Sequence, residues 1–466
     1  MYTPRDYQQD GIDSCIRILT SKTPKKEIVV SPTAGGKSLY VAFATKHVDF
    51  PLIVLQPGKE LLEQNYEKFI EIGGEAEIYS SSMKSFNLGK VTFATIKSIK
   101  NKVEEVKKLG VKAIIIDEAH LGTQSDSEIR KFIKDVGIRN VLGLTATPVY
   151  LKGGNDGAEL KMMTKVRGSM FKDIAHVTQI SELVIKKYWT RLLYIVEDVN
   201  ENFLELNSNS SDYTLESQKE YYEGNFLESK IIHYVDRLVR DNRKSILIFV
   251  PTISDAENLC EIIPGSKAVH NKTTTKERKE IIKGFKDLSI NVVINVNILS
   301  VGFDHPRLDA IITARSTASI AIYYQQIGRG VRIHPEKKNC RIIDLSGNYN
   351  NFGKVELLNF EYIEGYGWGM FTEDKLLSNY PMAAKKRPTK ESLKRGIESK
   401  RRKIFEVKRY GTPKTIKLWF GKHKGKTLEK VNEEFPQYLP WLMDNFKFEV
   451  DKMIELKEHI KTILNL

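Results

Sequence analysis

Over residues 1–150, short apolar runs alternate with stretches of helical periodicity, the pattern of a parallel sheet flanked by helices. Ile28-Val-Val, Leu52-Ile-Val-Leu, Val91-Thr-Phe-Ala, Ala113-Ile-Ile-Ile and Val141-Leu-Gly-Leu-Thr have no alternating polar face, so each predicts a buried strand. Between them, residues 59–70 set Leu62, Tyr66, Phe69 and Ile70 on one helical face, and Gly73-Gly74 closes that helix. A second block of the same kind covers residues 231–347. Its predicted strands are Ser245-Ile-Leu-Ile-Phe-Val, Asn291-Val-Val-Ile, Ala310-Ile-Ile-Thr and Arg341-Ile-Ile-Asp. Residues 151–230 join the blocks without clear periodicity and include the polar stretch Asn207-Ser-Asn-Ser-Ser-Asp. Loops of that length are uncommon in compact domains, so some structure plus a mobile segment is expected there. The fold class read from this pattern is α/β.

Composition adds domain count and exclusions. A chain of 466 residues has room for two or three domains. With 41% hydrophobic and 28% charged residues it can build real cores, which excludes wholesale disorder. Cys15, Cys260 and Cys340 stand far apart with no Cys-x-x-Cys pair, which excludes a disulfide framework and a cysteine-based zinc module. The opening Met1-Tyr-Thr-Pro-Arg-Asp-Tyr-Gln places charges where a signal peptide needs an apolar stretch. No apolar run approaches the ~20 residues of a membrane span. A soluble intracellular protein with no membrane partner is expected: cytoplasmic, in the host cytoplasm for a phage product, nuclear for a eukaryotic one. The net charge of +14 points to a polyanionic partner.

Chemistry enters at Ser31-Pro-Thr-Ala-Gly-Gly-Lys37-Ser38, set between a predicted strand and a helical pattern over residues 39–45. Small residues at Thr33, Ala34, Gly35 and Gly36 let consecutive backbone N–H groups close around phosphate oxygens, and the helix N-terminus adds a favourable dipole. Lys37 would then reach the β/γ-phosphates and Ser38 would bind Mg²⁺. Such loops usually open with Gly, where this chain has Ser31, so the match is a variant. A chance Gly-Gly turn is the bland alternative, and Asp117-Glu118-Ala119-His120 counts against it. An acidic pair ending a buried strand, downstream of a phosphate loop, suits a magnesium site. Asp117 would hold Mg²⁺, and Glu118 would orient and deprotonate the attacking water. ATP and Mg²⁺ are the expected cofactors.

Together these motifs, with others across residues 3–347, resemble the ordered set of superfamily 2 helicases and translocases of the Asp-Glu-Ala-His type. The resemblance implies two tandem RecA-like domains, over 1–150 and 231–347. Pro4-Arg-Asp-Tyr-Gln8 resembles an entry motif in which a Gln reads adenine, which makes Arg5 and Gln8 nucleotide contacts; the alternative is that Tyr7 and Gln8 simply open a helix. Leu144-Thr-Ala-Thr-Pro148 resembles the motif that couples the acidic strand end to the second domain, through Thr145, Thr147 and His120. Ser300-Val-Gly302-Phe-Asp304 resembles a nucleotide-contacting motif and implies roles for Gly302 and Asp304. Gln325-Gln-Ile-Gly328-Arg329-Gly-Val-Arg332 implies a coupling Gln325 and two arginine fingers, Arg329 and Arg332. Fingers of this kind are worth ~10³–10⁵ in rate in related phosphotransfer systems. Nucleic-acid contacts are implied at Pro57, Gly58, Thr95 and Thr252, on loops at the opposite edge of the two sheets, where hydroxyls, loop amides and helix N-termini suit backbone phosphates. Val296 stands where a phosphate-binding Thr is frequent, which leaves a backbone contact at that position.

The compact lobes and the entry motif look closest to DNA translocases: phage branch-migration and fork-remodelling helicases and restriction-enzyme motor subunits. The expected partner is DNA, forked, branched or partly single-stranded. The rival readings are an RNA helicase and a nucleotide-controlled clamp or restriction-type motor that does not unwind. Past the second block lies an aromatic-rich extension, 348–384. Its Phe360, Tyr362, Tyr366, Trp368 and Phe371 pack on the second lobe in one reading and form a strand-separating wedge in another. A basic linker or helix follows over 385–410, where residues 385–409 hold twelve Lys/Arg against three Glu. The last piece, 411–466, resembles the small C-terminal module of exodeoxyribonuclease X-like proteins. The resemblance implies accessory DNA binding through Lys422, Lys424 and Lys426 beside His423, with Tyr438, Trp441 and Leu442 forming a mini-core.

Overall fold

The computed structural model describes residues 2–124, 127–154, 157–208, 212–297, 304–379, 387–399, 417–418, 421–445 and 451–464. Its first part runs α1 (Asp6–Leu19), β1 (Lys26–Val30), α2 (Lys37–His47), β2 (Leu52–Gln56), α3 (Lys59–Glu71), β3 (Glu77–Ser80), β4 (Ser85–Phe86), β5 (Val91–Thr95), α4 (Ile96–Ile99), α5 (Val103–Lys108), β6 (Ala113–Ile116), α6 (Glu128–Val136) and β7 (Asn140–Thr145). The next stretch adds the antiparallel hairpin β8 (Val149–Gly154) and β9 (Gly157–Met162), then β10 (Asp173–Val177), α7 (Ile180–Ile185) and β11 (Arg191–Val196). The first sheet has the order β10-β1-β7-β6-β2-β5-β3-β4 and is parallel except for the β3–β4 pair. Helices cover both of its faces, so β2 and β6 bury every residue; this is why their sequences run as unbroken aliphatics. Behind α3, the Gly73 and Gly74 amides bond back to Ile70 and Phe69, and Gly73 adopts φ +78°. That is the glycine stop expected from the sequence.

A second sheet follows from α8 (Leu215–Gly224), α9 (Leu227–Arg240), β12 (Ile246–Phe249), α10 (Ile253–Ile262), β13 (Lys267–Val269), α11 (Thr275–Asp287), β14 (Val292–Asn295), β15 (Ala310–Thr313), α12 (Ile320–Ile327) and β16 (Asn339–Asp344). Its order is β11-β16-β15-β12-β14-β13, all parallel. The connecting stretch 151–230 is therefore no separate insert: β10 closes the edge of the first sheet and β11 opens the edge of the second. Both are edge strands with partly exposed residues; β10 mixes polar and apolar positions, whereas β11 carries the apolar run Leu192–Val196. Of the polar run 207–212, residues 209–211 lie outside the described residues, and Asp212 pairs with Arg315 at 2.9 Å.

α13 (Asn348–Phe352) leads into a small antiparallel sheet, β17 (Leu358–Ile363), β18 (Gly367–Thr372) and β19 (Lys375–Leu376). Phe360 and Phe371 are buried, whereas Tyr362 is 61% exposed with its ring edge-on to Trp368. Trp368 is tied to Asp173 of β10 through its indole N–H at 2.8 Å. No helix among the described residues is long and apolar enough to cross a membrane.

A second compact unit comprises residues 364–366 and 388–466. Of the basic stretch 385–410, residues 390–399 are helical, and 385–386 and 400–410 lie outside the described residues. The end of the chain folds as α14 (Leu428–Glu434), α15 (Tyr438–Asn445) and α16 (Asp451–Leu464) around Leu418, Leu428, Val431, Leu439, Leu442, Leu456 and Ile460. The expected mini-core holds for Leu442 but not for Trp441, which is 53% exposed. On α15, Leu439 and Leu442 share the inward stripe, while Tyr438 and Trp441 share another and stack on each other.

Candidate functional site

In the first sheet β1, β7 and β6 are neighbours, so the segments that leave their carboxyl ends emerge side by side. These are Ser31–Ser38, Thr145–Thr147 and Asp117–His120, and ligands of open parallel sheets bind at such an edge. In the loop after β1, Ala34 and Gly36 take φ +59° and +92°, and a Cβ on Gly35 would come within 2.8 Å of the Pro32 carbonyl. The small residues are thus required by the backbone, which curls into a cradle of N–H groups at the start of α2, where Lys37 and Ser38 begin the helix.

Lys37 Nζ reaches Glu118 Oε1 at 2.5 Å. Glu118 sits at φ +46°, a conformation rare for a side chain of its size and common where function demands strain. Burial works to raise its carboxyl, but Lys37, His120 and Arg329 outweigh burial and hold it below the usual range. Asp117 behaves oppositely: burial, then the neighbouring Glu118 charge, push it up to about 6. Two adjacent buried carboxylates with one lysine, beside a hydroxyl at Ser38 and a phosphate cradle, fit a divalent cation held by Asp117 and Ser38. Asn65 of α3 donates to Asp117 Oδ2 at 2.9 Å and was not singled out from the sequence. Asn65→Ala is expected to raise the Mg²⁺ concentration for half-maximal ATPase about 10-fold or more, as losing a support of a metal ligand does. A Mg²⁺ titration with an unchanged midpoint would show that Asn65 does not position Asp117.

His120 is buried, and burial lowers its pKa. Its Nδ1 lies 2.9 Å from Thr145 Oγ1, which also accepts the Thr147 N–H at 3.0 Å. The acidic strand end and the Thr145–Thr147 turn are thereby one hydrogen-bonded piece. Gln8 is buried; its side-chain N–H₂ donates to the Gly35 carbonyl and to Tyr7, and its carbonyl accepts from the Arg5 amide. Arg5 lies over the Tyr188 ring at 3.8 Å. Both expected nucleotide contacts are therefore packed against the phosphate loop or the ring of Tyr188.

The second lobe enters through α12 and the turn after it. Tyr324 Oη accepts the Thr33 N–H at 3.1 Å, and Trp189 Nε1 donates to the Thr33 carbonyl at the same distance. Thr190 bonds to the Val331 and Arg332 carbonyls, both at 2.7 Å. Tyr188, Trp189 and Thr190 thus join Arg5, the phosphate loop and the arginine segment, a role with no motif in the sequence. Arg329 is buried, and its charge interacts with that of Glu118 across the lobes. Arg332 Nε pairs with Asp304 Oδ1 at 2.7 Å. Gln325 is half-buried on α12, four residues before Arg329. Gly302 lies outside the described residues.

Pro57 and Gly58 follow β2, Thr95 ends β5 and Thr252 follows β12. Pro57, Gly58 and Thr95 leave the same carboxyl edge as Ser31–Ser38 and Asp117–His120, displaced along it, rather than the opposite edge, while Thr252 leaves the carboxyl end of β12 in the second sheet. The parallel order β6-β2-β5 dictates this, since every strand points the same way. Gly58 and Thr95 head α3 and α4, and Thr252 caps α10 through Asp255. In the C-terminal unit Lys422 and Lys424 are exposed, but Lys426 pairs with Glu434. His423 is buried between the rings of Phe435 and Tyr438, so it supports the turn instead of facing solvent.

Residues 1–150 match the family described as Type III restriction enzyme, res subunit, and residues 229–334 match the helicase conserved C-terminal domain. The chain is 26% identical over 363 residues to IRC3 of Saccharomyces cerevisiae, whose name calls it an ATP-dependent helicase. That match covers 74% of this chain and 51% of IRC3, so the chain spans about half of this relative. Helicase 22 of Sulfolobus islandicus filamentous virus is 24% identical over 400 residues, covering 79% of this chain and 68% of the viral one. A 51.5 kDa protein of a Lactococcus phage is 25% identical over 351 residues, with 73% and 70% covered. In fold, the chain is similar to the Type ISP restriction-modification enzyme LlaBIII bound to DNA, with TM-score 0.54, 16% identity, and 74% of this chain and 28% of that one covered. It is equally similar to a fragment of an HsdR subunit of a type I restriction enzyme from Vibrio vulnificus, with TM-score 0.54, 18% identity, and coverage of 76% and 66%. With these two domain types in this order, each on its own sheet, the chain has the tandem RecA-like fold.

Proposed function

We propose that this chain is an ATP- and Mg²⁺-dependent superfamily 2 helicase or translocase that works on DNA and unwinds or remodels forked and branched substrates. One observation carries the motor reading: Tyr324, on the helix that leads into Arg329 and Arg332, accepts the Thr33 N–H of the phosphate loop at 3.1 Å, so the second lobe brings its arginine segment to the first lobe's loop. Bound Mg²⁺ would supply charge neutralisation on the phosphates, held by Asp117 and Ser38. The phosphate loop and Lys37 bind and orient the polyphosphate. Glu118 takes the proton of the attacking water at a carboxylate oxygen that Lys37 otherwise occupies. Arg329 and Arg332 place positive charge against the transferring phosphoryl group, where preorganised charge is worth most. His120, Thr145 and Thr147 carry the change at the acidic strand end along the edge that bears Pro57, Gly58 and Thr95, which grip the backbone.

DNA is favoured over RNA by the restriction-enzyme family description of residues 1–150 and by the basic segment that follows the lobes. Proteins named as ATP-dependent RNA helicases also match parts of the chain, so RNA is the opposing arm of the test. Strand separation is measured on forked and four-way DNA and on RNA of the same design. The reading expects ATP-dependent separation of DNA; activity confined to RNA would overturn the substrate assignment. Deleting residues 411–466 is expected to weaken fork binding and flatten its salt dependence while ATPase without nucleic acid survives. A collapse of that basal ATPase would make the tail part of the motor fold instead.

A further inference from the structure

One wide cleft lies away from the phosphate loop. It has a volume of about 1430 Å³ and runs between α6 and the amino ends of β1, β7 and β10. Along α6, Arg130, Lys131 and Lys134 follow Ser127 at helical spacing and line one wall. Lys25, Lys26 and Lys172 line the other, with Glu27 and Asp135 the only carboxylates among the lining residues. Glu27 is taken up by Lys25 at 2.6 Å. Among the described residues, Lys26, Arg130, Lys131, Lys134 and Lys172 have no carboxylate partner. Like charges facing each other across a cleft repel, so this arrangement lowers folding stability unless a polyanion sits between them.

The cleft begins beside the edge that bears Pro57 and runs along α6 from there toward the amino ends of the strands. Ser127 lines both it and a cavity of about 430 Å³ whose wall includes Gln56, Pro57 and Ile96. From Ser127 to Ile138, α6 and its flanks cover about 16 Å at 1.5 Å per residue. A phosphodiester backbone lying along that length brings more than one phosphate within reach of Arg130, Lys131 and Lys134. We propose that this cleft is a second nucleic-acid site, which holds the phosphodiester backbone of the arm leaving the motor's edge. The inference rests on the nucleic-acid reading above and adds a contact outside the helicase motifs.

The test uses the full chain and the triple variant Lys131→Gln, Lys134→Gln, Lys172→Gln, three exposed side chains whose loss leaves the core intact. Affinity for forked DNA and for a short single strand is measured by anisotropy across a salt series, with ATPase in the absence of nucleic acid as the folding control. The triple variant is expected to lose about 10-fold or more in fork affinity at low salt. Its log K against log salt slope should flatten by about 2 to 3, with short-strand affinity and basal ATPase unchanged. Unchanged fork affinity and slope, with the short strand still bound, overturn the cleft assignment alone. Wild-type chain that binds neither probe overturns the nucleic-acid reading and this inference with it. If the variant instead loses only its binding of polyglutamate, the cleft is a docking face for an acidic protein and the proposal fails.

Discussion

Glu118→Gln lowers kcat for ATP by about 10²–10⁴-fold while nucleotide affinity is kept or improved, the loss expected when a general base is removed. The geometry supplies the second half of that statement. Glu118 Oε1 contacts Lys37, the residue whose ammonium is needed at the phosphates, and a carboxamide holds a lysine far less strongly. The variant therefore frees Lys37 for ATP. Gln also tolerates the φ of +46° as well as Glu does, so the backbone of the acidic turn stays in place. Single-turnover hydrolysis and nucleotide binding, measured on the same preparation, separate the two effects. Turnover within a few-fold of wild type would remove Glu118 from its role and leave it only as the lysine's resting partner.

Arg332→Ala cuts kcat by about 10³–10⁵ and leaves ATP binding within about 10-fold. Arg332 is held by Asp304, both on the second lobe, so its charge is parked beside the site rather than committed to it. An arginine that bound ground state and transition state alike would cost affinity and rate equally. Arg329 lies buried beside it and its charge also acts on Glu118, so in the resting site the two arginines differ: one steadies the carboxylate, while the other is paired with Asp304. Equal losses in binding and turnover for Arg332→Ala would contradict this division of labour.

What could be read from the sequence follows burial. The strands β1, β2, β5, β6, β7, β12, β14, β15 and β16 are aliphatic because helices cover both faces, and each was legible as a run. The edge strand β10 is not, because its half-covered Asp-Ile-Ala-His-Val mixes polar and apolar residues; β11 does carry an apolar run, Leu192–Val196, but it stands alone in a stretch without periodicity, so 151–230 reads as a connector. Within the candidate site, the meeting of Lys37 with the Asp117-Glu118 turn is legible because the loop and the acidic pair each follow a buried strand of the same sheet. Asn65, Tyr188, Trp189 and Tyr324 were not, because an amide on a helix face and buried aromatics match any packed core until the fold sets them against Asp117, Arg5 and Thr33. Trp441 erred the other way: a tryptophan near leucines reads as core, yet its helical phase turns it outward.

In the proposed mechanism two lobes form one ATPase site whose turnover is tied to the nucleic acid gripped along the same sheet edge. Steady-state ATPase of the wild-type chain, with and without forked DNA, tests it most directly. Slow hydrolysis alone, strong stimulation by DNA, and loss of both rates in the Glu118→Gln chain are expected. Hydrolysis at the same rate with and without any nucleic acid, or ATP binding with no hydrolysis at all, would contradict it.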